Sequence, residues 1–343
     1  MKKLILTVLI LTLVLTGCSK QPEKFQTTFS DAFDTITVVT LFCTSEKQFD
    51  NYVEIIHDEM MRLHRLFDIY NDYDGINNVK KINDFAGKEP VECAPEIIEL
   101  LSEGVTAYKA SGGTVNVALG SVLRIWHDAR DIASMNPDQA KAPDYKDLLR
   151  AYEHTDIEKL IIDAENKTVY LEDPEMSLDV GAFAKGWAVE RAVQLAREKG
   201  LKSGVISAGG NVAVVGIPLD GRDSWSIGIQ SPDGNGLFDA VAGSDMAAVT
   251  SGDYERFFIA DGVSYHHIIN PETLFPADRY RSVTVLHEDS GIAEMLSTPI
   301  FILPEKEGEA LAEKYSAEVL WIYADGTFKA TDGYLARSLN LTS

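Results

Sequence analysis

Four short segments hold the side chains that could do chemistry. The first, SLDVGAFAKGWAVER from Ser177 to Arg191, joins a short strand to a helix through the small residues Gly181 and Ala182. Lys185 then falls in the first helical turn, where its charge opposes the positive end of the helix dipole unless an anion lies nearby. Free N–H groups and Lys185 together suit a pyrophosphate, and Asp179 at the strand end could accept hydrogen bonds from a sugar or base. A solvated lysine and an aspartate capping the helix would leave the same pattern. The second segment, ISAGGN from Ile206 to Asn211, runs a buried strand into two glycines, which permit close approach of a ligand or simply a tight turn.

The third segment is longer. VTSGDYERFF leads through Asp261-Gly262, a hairpin turn signal, into YHHIINP, which sets residues 250–256 beside a histidine pair. Neighbouring residues of a strand face opposite ways, so at most one of His266 and His267 enters a given pocket; packing is the plain alternative for either. In the fourth, IAEMLST, helical spacing puts Glu294, Ser297 and Thr298 at i, i+3 and i+4 on one face. One carboxylate and two hydroxyls suit Mg²⁺, which completes its shell with water and substrate phosphates, and are too few for a calcium cage. An ordinary polar helix face has the same composition.

These segments need a scaffold, and the apolar pattern supplies one. Residues 35–43 are rich in β-branched types and predict a strand, followed by a helix over 46–67 in which Tyr52, Ile55, Ile56, Met60 and Leu63 recur at helical spacing. The polar loop YNDYDGINN comes next, Pro95 opens a second helix that stops at Gly112-Gly113, and a third includes 122–127. Residues 136–146 predict a surface connection, and 160–162 with 168–171 a hairpin. Strands are predicted at 205–207, 212–215, 225–229, 247–250, 257–259, 265–269 and 283–286, with helices at 184–199 and 292–296 among them. Without repeats, low-complexity tracts or linkers, this pattern implies an α+β fold in one compact domain.

Charge and the amino terminus narrow the setting. The 343 residues carry a formal net charge of −22, which argues against nucleic acid and anionic lipid surfaces as partners. A phosphate-bearing ligand would bind only where backbone N–H groups, a lysine or a metal ion gather against that field. Lys2 and Lys3 precede an apolar run, broken by Thr7 and Thr12, that is too short for a membrane span and reads as an export signal over 1–17. Thr16 and Gly17 stand directly before Cys18, the arrangement in which a peptidase cuts before a lipidated cysteine; a cleaved leader with an incidental cysteine is the alternative. The expected organisation is thus a leader at 1–17, a lipidated Cys18 with a tether over 18–30, and one domain over 31–343. The chain would sit lipid-anchored at the outer face of a bacterial cytoplasmic membrane, or on its periplasmic side. Only Cys43 and Cys93 remain, which makes neither a disulfide framework nor a zinc site.

Taken in order, DVGAFAKGWAVERA, ISAGGN, TSGDYERFF with HHIINPET, and AEMLST resemble the FAD:protein FMN transferases of the ApbE family. FDT at Phe33 to Thr35, the YND loop and GGTVNVALGSVLRIWHD fall where that family has its amino-terminal flavin contacts, so the resemblance covers nearly all of the chain after the leader. It implies a single domain of mixed, largely antiparallel sheets with helices packed around them. It also implies Mg²⁺-dependent transfer of the FMN half of FAD to a threonine of an exported or membrane-bound electron-transfer protein, with release of AMP. By this resemblance the Ala182 carbonyl, Glu294, Ser297 and Thr298 would hold Mg²⁺, and His267 would act as general base or stabilise developing charge. Asp179, Lys185, Tyr70, Thr114, Val115, Asn116 and Ile268 would contact FAD. The chain departs from the family pattern where Glu294 replaces a common Asp, and where Asn116 and Asn270 stand at positions often held by Asp. Pro299, after the expected ligand Thr298, implies a kinked or ended helix, and Leu274, in place of a frequent glycine, implies a different turn. Hydrolysis of FAD to FMN and AMP, or flavin binding without turnover, are the alternatives.

Overall fold

The computed structural model describes residues 20–341; the leader at 1–17 and Cys18 lie outside them. β1 (Glu23–Phe29) pairs antiparallel with β2 (Thr37–Cys43), Glu23 opposite Cys43 and Phe29 opposite Thr37. Most of the stretch expected as tether is therefore an edge strand. Phe25, Thr27 and Phe29 are half-buried in alternation with exposed Lys24, Gln26 and Thr28, a period of two hidden by polar composition. Ser45 caps α1 (Glu46–Phe67) by accepting from Gln48 N–H, and Asn78 does the same for α2 (Val79–Asp84). β3 (Val91–Glu92) precedes α3 (Pro95–Ala110), which starts on its proline. After α4 (Gly120–Met135) and α5 (Tyr145–Tyr152), β4 (Leu160–Asp163) and β5 (Thr168–Leu171) make the expected hairpin, to which β3 adds.

The second half follows α6 (Ala184–Glu198). It contains β6 (Gly204–Ala208), β7 (Asn211–Val215), β8 (Trp225–Gln230), β9 (Leu237–Gly243), β10 (Met246–Gly252), β11 (Phe258–Ala260), β12 (Val263–Tyr265) and β13 (Ser282–His287). α7 (Ser290–Ile302), α8 (Glu305–Lys314), β14 (Glu318–Ile322), β15 (Phe328–Ala330) and α9 (Asp332–Leu335) complete it. Eight strands form one sheet in the order β1-β2-β6-β7-β10-β13-β14-β15, with every neighbouring pair antiparallel.

Alternation along these strands feeds two different cores. Val39 and Leu41, Ala247 and Val249, Val283 and Val285, and Val319 and Trp321 pack on one face with α1, α6 and α7. Phe42, Ala248, Leu286, Leu320 and Ile322 point the other way, onto the β8–β9 hairpin and Tyr334 of α9. A sheet covered on both faces reads as continuous apolar runs, as these strands do. Each fully buried Leu, Val or Phe contributes about 1.5–3 kcal/mol. Cys43 and Cys93 are free and buried, which pushes their thiols up to about 11 and about 12. Among the described residues no helix is long and apolar enough to cross a membrane.

A third, smaller core joins α4 and α5 to the β11–β12 hairpin and the loop after it, through Trp126, Leu148, Phe258, Ile269 and Leu274. Trp126 Nε1–H donates to the Leu274 carbonyl at 3.0 Å. Leu274 adopts φ +64°, a left-handed conformation that a glycine takes without strain. For leucine it costs roughly 1–2 kcal/mol, which burying the side chain offsets. At Pro299 the helix does not end: α7 continues through the proline to Ile302, and the Pro299 carbonyl still accepts from Leu303 N–H at 2.8 Å, although the proline has no N–H of its own to donate to the preceding turn.

Candidate active site

The four chemical segments converge on one turn of α7, the first and second at Glu294 and the third, through Ser251, at Ser297. α7 packs closely on α6 because a glycine faces it: a Cβ added at Gly186 would lie 2.6 Å from Glu294 Cβ and 2.7 Å from the Ser290 carbonyl oxygen. Lys185 spans the same contact, with Nζ 2.6 Å from Glu294 Oε1. The anion that this lysine needs at a helix start is thus a carboxylate of the chain itself. Asn211, fully buried, donates from Nδ2 to Glu294 Oε2 at 3.2 Å and accepts from Ser290 Oγ at 2.8 Å. Ser297 Oγ donates to the Glu294 carbonyl at 3.0 Å and accepts from Ser251 Oγ at 2.9 Å. Removing one partner of such a buried pair costs about 3–5 kcal/mol, because the other charge is left uncompensated.

The same oxygens suit a small hard cation. Glu294 supplies the carboxylate, and Ser297 Oγ keeps a lone pair beyond its two hydrogen bonds. The Ala182 carbonyl, ahead of the α6 cap at Phe183, accepts no hydrogen bond among the described residues. Thr298 is half-buried one residue further along α7. This is an all-oxygen donor set with a single carboxylate, the composition Mg²⁺ accepts when water and phosphate complete its shell. Among the described residues no three His, Cys, Asp or Glu side chains gather as a metal cluster. Lys185 already pairs with this carboxylate, so with an ion bound Glu294 would balance two cations.

The histidine pair divides into two roles. β12 ends at Tyr265, so neither histidine lies in a strand, and the strand expected over 265–269 stops short. His266 is buried; its Nε2–H donates to the Ala277 carbonyl at 2.7 Å and its Nδ1 accepts from Ile268 N–H at 3.2 Å. Both ring nitrogens are used, which makes it structural. His267 Nδ1 lies 3.1 Å from the Glu255 carbonyl, which can only accept, so Nδ1 carries the proton and Nε2 keeps a free lone pair. Burial first, then the Arg256 charge, holds its pKa down at about 3, so the ring is neutral at pH 7. Trp126, His127, Arg130, Arg256 and Tyr265 line the small pocket that His267 enters.

His127 was not among the residues singled out from sequence. Its Nδ1 lies 2.8 Å from Tyr70 OH and its Nε2 lies 3.9 Å from Asp179 Oδ2. Burial lowers its pKa, against the pull of Asp179. Although the Tyr70 ring is more than half exposed, desolvation around its hydroxyl, then the Asp179 charge, pushes the phenol up to about 12. One sequence signal was present: Leu123, His127 and Arg130 stand at i, i+4 and i+7 of a helix. Asp179 is brought here by Gly120, where a Cβ would crowd the 177–178 backbone, and by its own N–H, which donates to the Val117 carbonyl at 2.8 Å. Tyr70 is placed by Asp68, whose carboxylate accepts from Tyr70 N–H, Asn71 and Tyr73 OH. Burial alone would raise the Asp68 pKa, but these hydrogen bonds outweigh it and hold the pKa low.

Comparison with known proteins decides the family. A family model described as the ApbE family matches residues 33–321. The chain belongs to the ApbE family. It is 34% identical over 272 residues to the FAD:protein FMN transferase of Treponema pallidum, covering 75% of this chain and 73% of that one. With the FAD:protein FMN transferase of Vibrio cholerae the identity is 27%, over 92% of this chain and 95% of the relative. The crystal structure of the ApbE protein from Thermotoga maritima superposes with a TM-score of 0.79 at 27% identity, covering 91% of this chain and 98% of that one. This ApbE-family chain is therefore an enzyme, a transferase, with the α+β fold of that family.

The remaining expected flavin contacts of this ApbE-family chain lie elsewhere. Thr114 Oγ1 donates to the Ser111 carbonyl at 2.8 Å, and Val115 is buried. The Asn116 amide is committed at both ends, accepting from Ala118 N–H and donating to the Thr155 carbonyl, each at 2.8 Å. Thr114 and Asn116 line a cavity of about 690 Å³ with Tyr152, Asn270, Arg279 and Leu303, separate from the pocket that His267 enters. Ile268 is buried, its N–H donates to His266 Nδ1, and its carbonyl accepts from Ala277 N–H. The FDT segment does reach the ISAGGN turn, since Thr35 packs directly on Gly209, which has φ +45°.

Proposed function

We propose that the chain transfers the FMN half of FAD to a threonine hydroxyl of an exported or membrane-bound electron-transfer protein, releasing AMP, with Mg²⁺ as cofactor and Cys18 as its lipid anchor. The observation that carries this reading is His267, whose Nδ1 is fixed on the Glu255 carbonyl while its neutral Nε2 stays free in a pocket shared with Arg130 and Arg256. The relatives' names supply the reactants: FAD as donor and a protein as acceptor. In the transfer, the threonine oxygen forms a bond to the FMN phosphorus as the bond from that phosphorus to the bridging oxygen breaks. The bridging oxygen leaves with AMP, and the threonine proton passes to His267 Nε2. A pKa near 3 makes the free ring a weak base, and an anionic phosphate beside it raises that value toward working pH. Arg130 and Arg256 oppose the charge that builds on the phosphoryl oxygens. The Ala182 carbonyl, Glu294, Ser297 and Thr298 would hold Mg²⁺, which supplies positive charge to the pyrophosphate when bound.

The detergent-solubilised full chain, given FAD, Mg²⁺ and a threonine-bearing flavin-acceptor domain, should produce a covalently fluorescent acceptor band and AMP. His267→Ala should lower AMP release by about 100-fold or more while FAD still quenches on binding. AMP formed equally fast without any acceptor would replace the reading with FAD hydrolysis. FAD binding with no AMP in any condition would leave a flavin-binding protein.

A further inference from the structure

Three parts of the chain that are distant in sequence meet at one imidazole. Tyr70 belongs to the loop after α1, His127 to the middle of α4, and Asp179 to the irregular segment between β5 and α6, where no strand forms. We propose that His127 is a positioning residue for the transfer, fixing the Tyr70 ring and the Asp179 carboxylate relative to each other so that both meet FAD in one orientation. The proposal rests on the flavin-transfer reading above.

Hydrogen-bond chemistry sets the direction of the chain of contacts. Asp179 Oδ1 is occupied by Gly181 N–H at 2.8 Å, so Oδ2 is the oxygen turned toward His127 Nε2. A carboxylate favours the tautomer with the proton on Nε2, which leaves Nδ1 to accept from the Tyr70 hydroxyl. The 3.9 Å gap to Asp179 exceeds direct hydrogen-bond length, so that link is Coulombic or bridged by water. The Tyr70 side of the chain needs such an anchor. Tyr70 is 55% exposed, and an aromatic ring that is free to swing loses rotamer entropy when a ligand stacks on it. His127 can provide the anchor because its own helix does not move independently: its neighbour Trp126 is hydrogen-bonded to Leu274 and packs edge-on against Phe275. His127 also lines the His267 pocket, so the orientation it imposes is set within the space where the phosphoryl group would react.

The test is a double-mutant cycle on the full chain with Tyr70→Phe, His127→Ala and the pair. FAD binding by the wild type, read from flavin fluorescence quenching, comes first; its absence would overturn the function itself. Given binding, His127→Ala should raise KM for FAD about tenfold with kcat changed less than about threefold, and the double variant should be no worse than the worse single one. His127→Gln, which returns an N–H toward Asp179, should recover part of the loss. If His127→Ala lowers Tm, the cycle is read with His127→Gln in its place. Additive losses in the cycle, an unchanged KM, or a fall in kcat alone would each overturn the positioning role while leaving the transferase reading intact.

Discussion

At the residue scale, three histidines are kept neutral for different ends. His266 braces the loop after β12, His127 joins Tyr70 to Asp179, and His267 presents a free Nε2. All three have pKa values below the ordinary histidine value, chiefly through burial. The unfolded chain therefore binds more protons than the folded one between the ordinary value of about 6.5 and the lowered ones, and stability falls as pH drops through that window. For His267 the window reaches down to about 3. Each fully shifted histidine contributes at most about 1.4 kcal/mol per pH unit there. Thermal melts should accordingly show Tm falling from pH 7 to pH 5, and falling less steeply in His267→Ala; parallel pH profiles would contradict this origin. Which histidine faces the site was not legible in the sequence, since the reading placed both in a strand that ends before them. His127 was hidden for another reason: its partner Tyr70 lies 57 residues away, a separation no local pattern encodes.

At the scale of elements, the contact of α6 with α7 holds the site together, and Gly186 is what allows it. Gly186→Ala should destabilise the chain by about 1–3 kcal/mol, since its Cβ meets not only the Glu294 carboxylate but also Glu294 Cβ and the Ser290 carbonyl, which cannot swing aside. It should also loosen the Lys185–Glu294 pair, so a lower Tm together with weaker Mg²⁺ dependence is expected; an unchanged Tm would show that the helices can part at no cost. The long helices α1 and α3, the β4–β5 hairpin and five strands of the central sheet, β2, β6, β7, β10 and β13, were legible from period and caps. β1 was not, because only Phe25 and Phe29 mark its inner face with large apolar side chains. β14 was missed as well: its five residues, EVLWI, bury almost continuously, and a short apolar run carries no period to distinguish strand from helix. Glu294, Ser297 and Lys185 were found because each sits at a helical spacing or helix start. Their union with Asn211 and Ser251 depends on sheet order, which sequence does not state.

At the scale of the molecule, a chain of net charge −22 concentrates unusual cationic character in one pocket, with Arg130 and Arg256 beside His267. Against so negative a chain, these two arginines offer a phosphate group local positive charge. The proposed lipid on Cys18 has its own test: Cys18→Ser should move the protein from the membrane fraction to the soluble one, and equal partition of both forms would remove the anchor. Should the anchor hold, β1 acquires a mechanical meaning. Chain starting at Cys18 has only five steps before Glu23 joins the sheet, and at about 3.3–3.6 Å per residue it reaches less than about 20 Å. A leash running to residue 30 would have let the enzyme roam more than twice as far. With that anchor, the paired edge strand would instead make a short pivot, so one rim of the sheet would stay close to the bilayer and the domain could swing but not wander. An acceptor would then have to present its threonine at a nearly fixed height above the membrane, and altitude would become a criterion of substrate choice alongside sequence.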